Sequence, residues 1–111
     1  MTTYENLIEL LDNAVAEFKE VVSNITVTAG NDESLDSYSL NKLIKANARA
    51  EAAIRVKKMF YDNTEVDWNA VATQVRKNAT DSLKVNNATS FSVASLYSEV
   101  LTAIGSYRRE V

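Results

Sequence analysis

The 111-residue chain contains no proline and only two glycines, Gly30 and Gly105. That scarcity constrains its fold more than any other feature. Proline breaks a helix interior and glycine weakens one, so a chain nearly free of both can run long uninterrupted helices. Small strand-rich domains need several tight turns, which usually draw on glycine, proline or asparagine. The composition therefore predicts an all-α domain. Its length suits one domain, and a chain of this size buries roughly two thirds of the surface its unfolded form exposes. With 46% apolar and 24% charged residues, it is too apolar for a disordered segment.

Hydrophobic spacing divides residues 1–111 into four helices, which predicts a four-helix, bundle-like single domain with one long loop between the first two. The first helix is expected over about residues 3–24. Thr2 and Glu5 have the spacing of a capping box, and Tyr4, Leu7, Ile8, Leu11, Ala14, Val15, Phe18, Val21, Val22 and Ile25 recur on one stripe. Glu5, Glu9, Asp12, Glu17 and Glu20 cover the other side. The loop 26–37 holds turn chemistry at Gly30, Asn31 and Asp32, and its β-branched start at residues 25–28 allows a brief extended stretch. A connection this long is unusual in a bundle, and it is expected to be mobile.

The second helix is expected over about residues 38–61 and carries apolar residues on two sides. Leu40, Leu43, Ile44, Asn47, Ala50 and Ile54 form one face, opposite Lys42, Lys45 and Arg49. In its second half Ala52, Ala53, Val56, Met59 and Phe60 appear on the side where the basic residues had been. An apolar band that spreads around a helix implies burial on more than one side. Ala52, Val56, Met59 and Phe60 are accordingly the candidate oligomer interface.

The third helix is expected over about residues 67–79. Asp67 is its cap, Val66 and Val71 staple its entry, and Trp68, Val71, Ala72, Val75 and Ala79 form its stripe. Residues 78–90 read as a loop anchored by Leu83 and Val85. The fourth helix is expected over about residues 92–111, capped by Ser92, with Phe91 and Leu96 as the staple pair. Val93, Leu96, Tyr97, Val100, Leu101, Ile104, Tyr107 and Val111 share its inner face. Gly105 lies off that stripe and is expected to cost about 1 kcal/mol relative to alanine unless something packs closely there.

The chain has no histidine and no cysteine. Ser-His-Asp and Cys-His nucleophile systems, disulfides and zinc–thiolate sites are therefore excluded. No glycine-rich phosphate loop is present, and Asn31, Asp32, Glu33 and Ser34 do not follow the ligand pattern of an EF-hand. No catalytic residues, metal ligands or cofactor are expected, and the chain is read as a non-enzyme.

Charge is distributed unevenly. Residues 1–39 carry eight acids and one base, whereas residues 40–84 carry nine bases and five acids. One reading makes the acidic first helix and the basic second helix neighbours, whose surface pairs contribute little individually. The sharper reading makes Lys42, Lys45 and Arg49 a candidate anion-binding face, extended by Lys57 or by Arg76 and Lys77. Nucleic acid or a nucleotide would be its ligand, although a pI near 4.9 opposes broad affinity for phosphate backbones. Trp68, Tyr97 and Phe91 are expected in the core, and Tyr38, Tyr61 and Tyr107 at the rims of interfaces.

In size, helicity and lack of Cys, His and Pro, the chain resembles small proteins encoded by tailed bacteriophages. Two such groups are the all-α head–tail connectors, which assemble into rings, and the compact inhibitors of host defence. The resemblance implies a binding role; the apolar residues on two sides of the second helix make a further copy of the chain the expected partner, with another protein as an alternative. In the inhibitor alternative, the acidic face at Glu9 and Glu20 would engage a host enzyme. No apolar run reaches the roughly 18–20 residues of a membrane span, and the first residues lack a signal-peptide pattern. Residence in the cytoplasm is expected, in a host cell or a virion if the chain is phage-encoded.

Overall fold

The computed structural model describes residues 2–30, 37–63, 65–85 and 87–110. Among them are four helices and no strand: α1 (Thr3–Gly30), α2 (Ser37–Phe60), α3 (Trp68–Leu83) and α4 (Ala88–Glu110). The architecture is the all-α, bundle-like arrangement that the scarcity of glycine and proline predicts.

The capping box at the start of α1 forms. Thr2 Oγ1 accepts from the Glu5 amide at 3.1 Å, and the Thr2 amide donates to Glu5 Oε2 at 3.4 Å. The helix then continues past residue 24 to Gly30, so the stretch expected to extend locally is helical instead. β-Branched residues lower helix propensity by only a fraction of a kcal/mol each, and no breaker precedes Gly30. Residues 26–30 thus belong to α1 and Ser37 opens α2. Residues 31–36, where the remainder of the expected loop falls, lie outside the described residues.

The other displaced boundary lies between α3 and α4. Asp67 caps α3 as expected, its carboxylate accepting from the Asn69 and Ala70 amides at 3.1 and 3.2 Å. The helix runs to Leu83, four residues beyond the expected end, and α4 begins at Ala88, four residues early. The cap of α4 is Asn87, whose Oδ1 accepts from the Ser90 amide at 2.8 Å. Ser92 lies inside the helix, and its hydroxyl donates to the Lys45 carbonyl of α2 at 3.4 Å. Polar residues at 78–90 suggested a loop, but threonine in α3 satisfies its hydroxyl on the preceding turn, as Thr80 does on the Arg76 carbonyl at 3.0 Å. Leu83, Val85 and Phe91, expected to pack inward, are exposed.

The helices pair as two hairpins, α1 with α2 and α3 with α4, and the hairpins meet mainly through α2 and α4, with α1 also reaching α4. Leu7, Leu11 and Ala14 of α1, Ala52, Ala53, Val56 and Phe60 of α2, Val71, Ala72 and Val75 of α3, and Leu96, Tyr97, Val100 and Ile104 of α4 form one buried cluster. Alanines 50, 52 and 53 are buried on α2, where small side chains allow neighbouring helices to approach closely. At the α2–α3 turn Phe60 is the pivot. The Tyr4 ring meets it edge-on at 5.4 Å and the Trp68 ring at a tilt at 5.4 Å. The molecule is elongated, 55 × 31 × 20 Å with a radius of gyration of 15.9 Å, against about 13 Å for a compact chain of 100 residues.

Candidate self-association face on α2

At 100° per residue, the side chains of α2 separate into two sectors. Ala52, Ala53, Val56 and Phe60 face the other helices. Leu40, Ile44, Ile54 and Tyr61 fall within a sector about 100° wide on the opposite side, and all four are exposed, Leu40 at 46% and Ile44 at 45%. Leu43 is half-buried at the edge of this sector, and Asn47 is exposed near its centre.

This arrangement corrects the residues assigned to the oligomer interface. Ala52, Val56 and Phe60 are at most 1% exposed, and Met59 packs against the same cluster. They are core residues of this chain and present no surface to a second one. The helix does carry apolar residues on two sides, as its sequence implies, but the two sides exchange roles. The inward side is the one continuous with the basic residues, because α1 and α4 both pack there.

The same geometry locates the candidate anion face. Lys42, Lys45 and Arg49 share the sector that, one and two turns later, becomes the core. Arg49 forms an ion pair with Glu99 of α4, and the Lys45 carbonyl accepts the Ser92 hydroxyl. The Lys42 and Lys45 side chains remain exposed. Arg76 and Lys77 are exposed on α3 and extend no face of α2.

Lys57 binds α1 instead. Its ammonium donates to Asp12 Oδ1 at 2.9 Å and lies 4.9 Å from the centre of the Tyr61 ring. The hydrogen bond to Asp12, reinforced by that carboxylate's charge, holds the Lys57 pKa above its ordinary value against the opposing effect of desolvation. The acidic first helix and basic second helix are therefore joined by a charge pair. Lys57 and Tyr61, together with Ile54 and Lys58, line a shallow hollow of about 430 Å³ on the outward side of α2.

Charges also lie on this side of α2: Glu51 and Lys58 fall inside the outward sector and Arg55 at its edge, all three exposed. The Arg55 guanidinium also donates to the Tyr97 hydroxyl of α4. Glu9 and Glu20, the acidic residues of the inhibitor alternative, are exposed on α1. Among the described residues, no group of three or more Asp or Glu side chains is placed to hold a metal ion, and no helix is long and apolar enough to cross a membrane.

Comparison with protein-family models, curated proteins and solved structures finds no match to this chain. The functional reading accordingly rests on the geometry of the chain itself. The outward sector of α2 is visible in the sequence as the apolar face of Leu40, Leu43, Ile44 and Ile54, but periodicity alone does not say which of the two faces meets the other helices.

Proposed function

We propose that the protein is a non-catalytic helical interaction domain that associates with a second copy of itself through the outward face of α2. The observation that carries this reading is the exposure of Leu40, Ile44, Ile54 and Tyr61 in one sector of a helix whose other side is already in the core. Burying a side chain such as leucine or isoleucine contributes about 1.5–3 kcal/mol, so leaving these in water forgoes a gain that a partner can supply.

A second copy is favoured as that partner by two opposite charges, Glu51 within the stripe and Arg55 at its edge. In an antiparallel, two-fold contact each surface meets itself. Glu51 of one copy then lies opposite Arg55 of the other, and the reverse pair forms with it. Tyr61 supplies an amphipathic ring at the end of the contact, a position that suits its wet hydroxyl. The anion-binding alternative keeps Lys42 and Lys45 as exposed cations, but the pairing of Arg49 with Glu99 takes one of its three charges.

Light scattering tests the proposal. The unaltered chain is expected to show a mass above that of one chain at micromolar concentration. Ile44→Glu with Ile54→Glu is expected to return it to a single chain with helical content unchanged, since both residues point away from the core. Glu51→Arg is expected to weaken association. An unaltered chain that remains a strict monomer, or a double glutamate variant that associates as before, overturns the proposal.

A further inference from the structure

At one end of the bundle, the start of α1, the α2–α3 turn and the start of α3 enclose an open cleft of about 520 Å³. It is lined by Tyr4, Asp62, Asn63, Glu65, Val66 and Trp68, with Thr2 at its edge. We propose that this cleft is a binding site for a small organic cation, an alkylammonium or guanidinium group held against the Tyr4 and Trp68 rings between the carboxylates of Asp62 and Glu65. The proposal concerns a different surface from the outward face of α2 and does not depend on it.

Three observations support it. First, the walls combine two half-buried aromatic rings and the side chain of Val66 with two exposed carboxylates on the rim. Aromatic faces attract cations through their quadrupole, and an organic cation also gains by burying its carbon atoms. A bare inorganic ion is more strongly hydrated and has no carbon surface to bury, so it would gain less from the rings. Second, the cleft is held in shape by its own bonds. The Asp62 amide donates to the Tyr4 hydroxyl at 3.0 Å, the Glu65 amide donates to Asn63 Oδ1 at 3.2 Å, and Phe60 packs against both rings from below. Third, acids outnumber bases at this end of the bundle, where the basic residues are Lys57, paired with Asp12, and Lys58 in the last turn of α2. Glu5, Asp62, Glu65 and Asp67 lie within this end, and among the described residues neither Asp62 nor Glu65 enters an ion pair.

The amino ends of α1 and α3 bring partial positive charge to this region. It is offset by the cap carboxylates, since Glu5 and Asp67 accept from amides of those first turns. The carboxyl end of α2 adds partial negative charge beside them. A volume of about 520 Å³ lies within the usual range for small-molecule sites, roughly 300–1,000 Å³.

Trp68 is the only tryptophan in the chain and lies in the cleft wall, so its emission reports directly on occupancy. Titration with tetramethylammonium, and separately with N-acetyl-arginine amide, is expected to change that emission saturably in the millimolar range. A larger response to one probe identifies the cation class preferred. Asp62→Asn with Glu65→Gln is expected to weaken binding at least tenfold. The asparagine suits the left-handed backbone at residue 62, where φ is 60°, so the turn keeps its form. The uncharged analogue 3,3-dimethylbutanol and sodium chloride at matched concentration are expected to give no saturable change. Absence of saturation with both cations, an equal response to either control, or undiminished binding by the double variant overturns the proposal.

Discussion

Tyr97 couples the packing of α4 to pH. Burial pushes its phenol above the ordinary tyrosine value near 10, while the charge and hydrogen bond of the nearby Arg55 guanidinium offset part of the rise. A phenol whose folded-state pKa lies above its unfolded one holds its proton more tightly in the folded chain. Its contribution to stability is therefore complete below about pH 10 and is lost as the pH rises through the folded value. Thermal melts from neutral to strongly alkaline pH are expected to show a steeper loss of stability in the unaltered chain than in Tyr97→Phe. Parallel curves would mean that the phenol ionises as freely in the core as in the unfolded chain. Lys57 shifts in the same sense, its cause being the exposed pair with Asp12, so its effect should diminish with added salt.

At the scale of the element, the first turns were legible and several boundaries were not. Thr2 with Glu5 and Asp67 with Val66 are local signals, read within four residues, and both caps form as their spacing implies. The extension of α1 through residues 26–30, and of α3 through residue 83, opposes local composition. In each case one weak helix former follows another without a true breaker, and continuation from an established helix costs less than a fresh nucleus. Gly105 provides a separate check on helix propensity. It lies in α4, and a Cβ built there meets nothing within 4 Å, so the close packing that might have required glycine is absent. Gly105→Ala is expected to stabilise the chain by about 1 kcal/mol in urea unfolding. A loss of stability would reveal a close neighbour at that position.

At the scale of the whole molecule, the all-α class was legible because it follows from what the chain lacks. The choice between the two sides of α2 was not, because periodicity finds apolar sectors without saying which neighbour covers them. The sequence offers Leu40 and Ile44 on one apolar face and Ala52 and Ala53 on the other, and spacing alone does not rank them. Small residues win the inner position because they let two hairpins meet closely, and the larger residues are left facing outward. The cleft was less visible still. Tyr4, Asp62, Glu65 and Trp68 come from three segments that only the hairpin arrangement brings together, and their only sequence signal was aromatic residues at helix ends beside an acidic turn.

The account turns on α2 serving the core with one side and a second copy with the other. Amide hydrogen exchange measured across a dilution series tests this most directly. Protection is expected to rise with concentration in peptides covering residues 40–61, while those covering α3 stay constant. Exchange in α2 that is independent of concentration, or protection that grows in α3 instead, would contradict it.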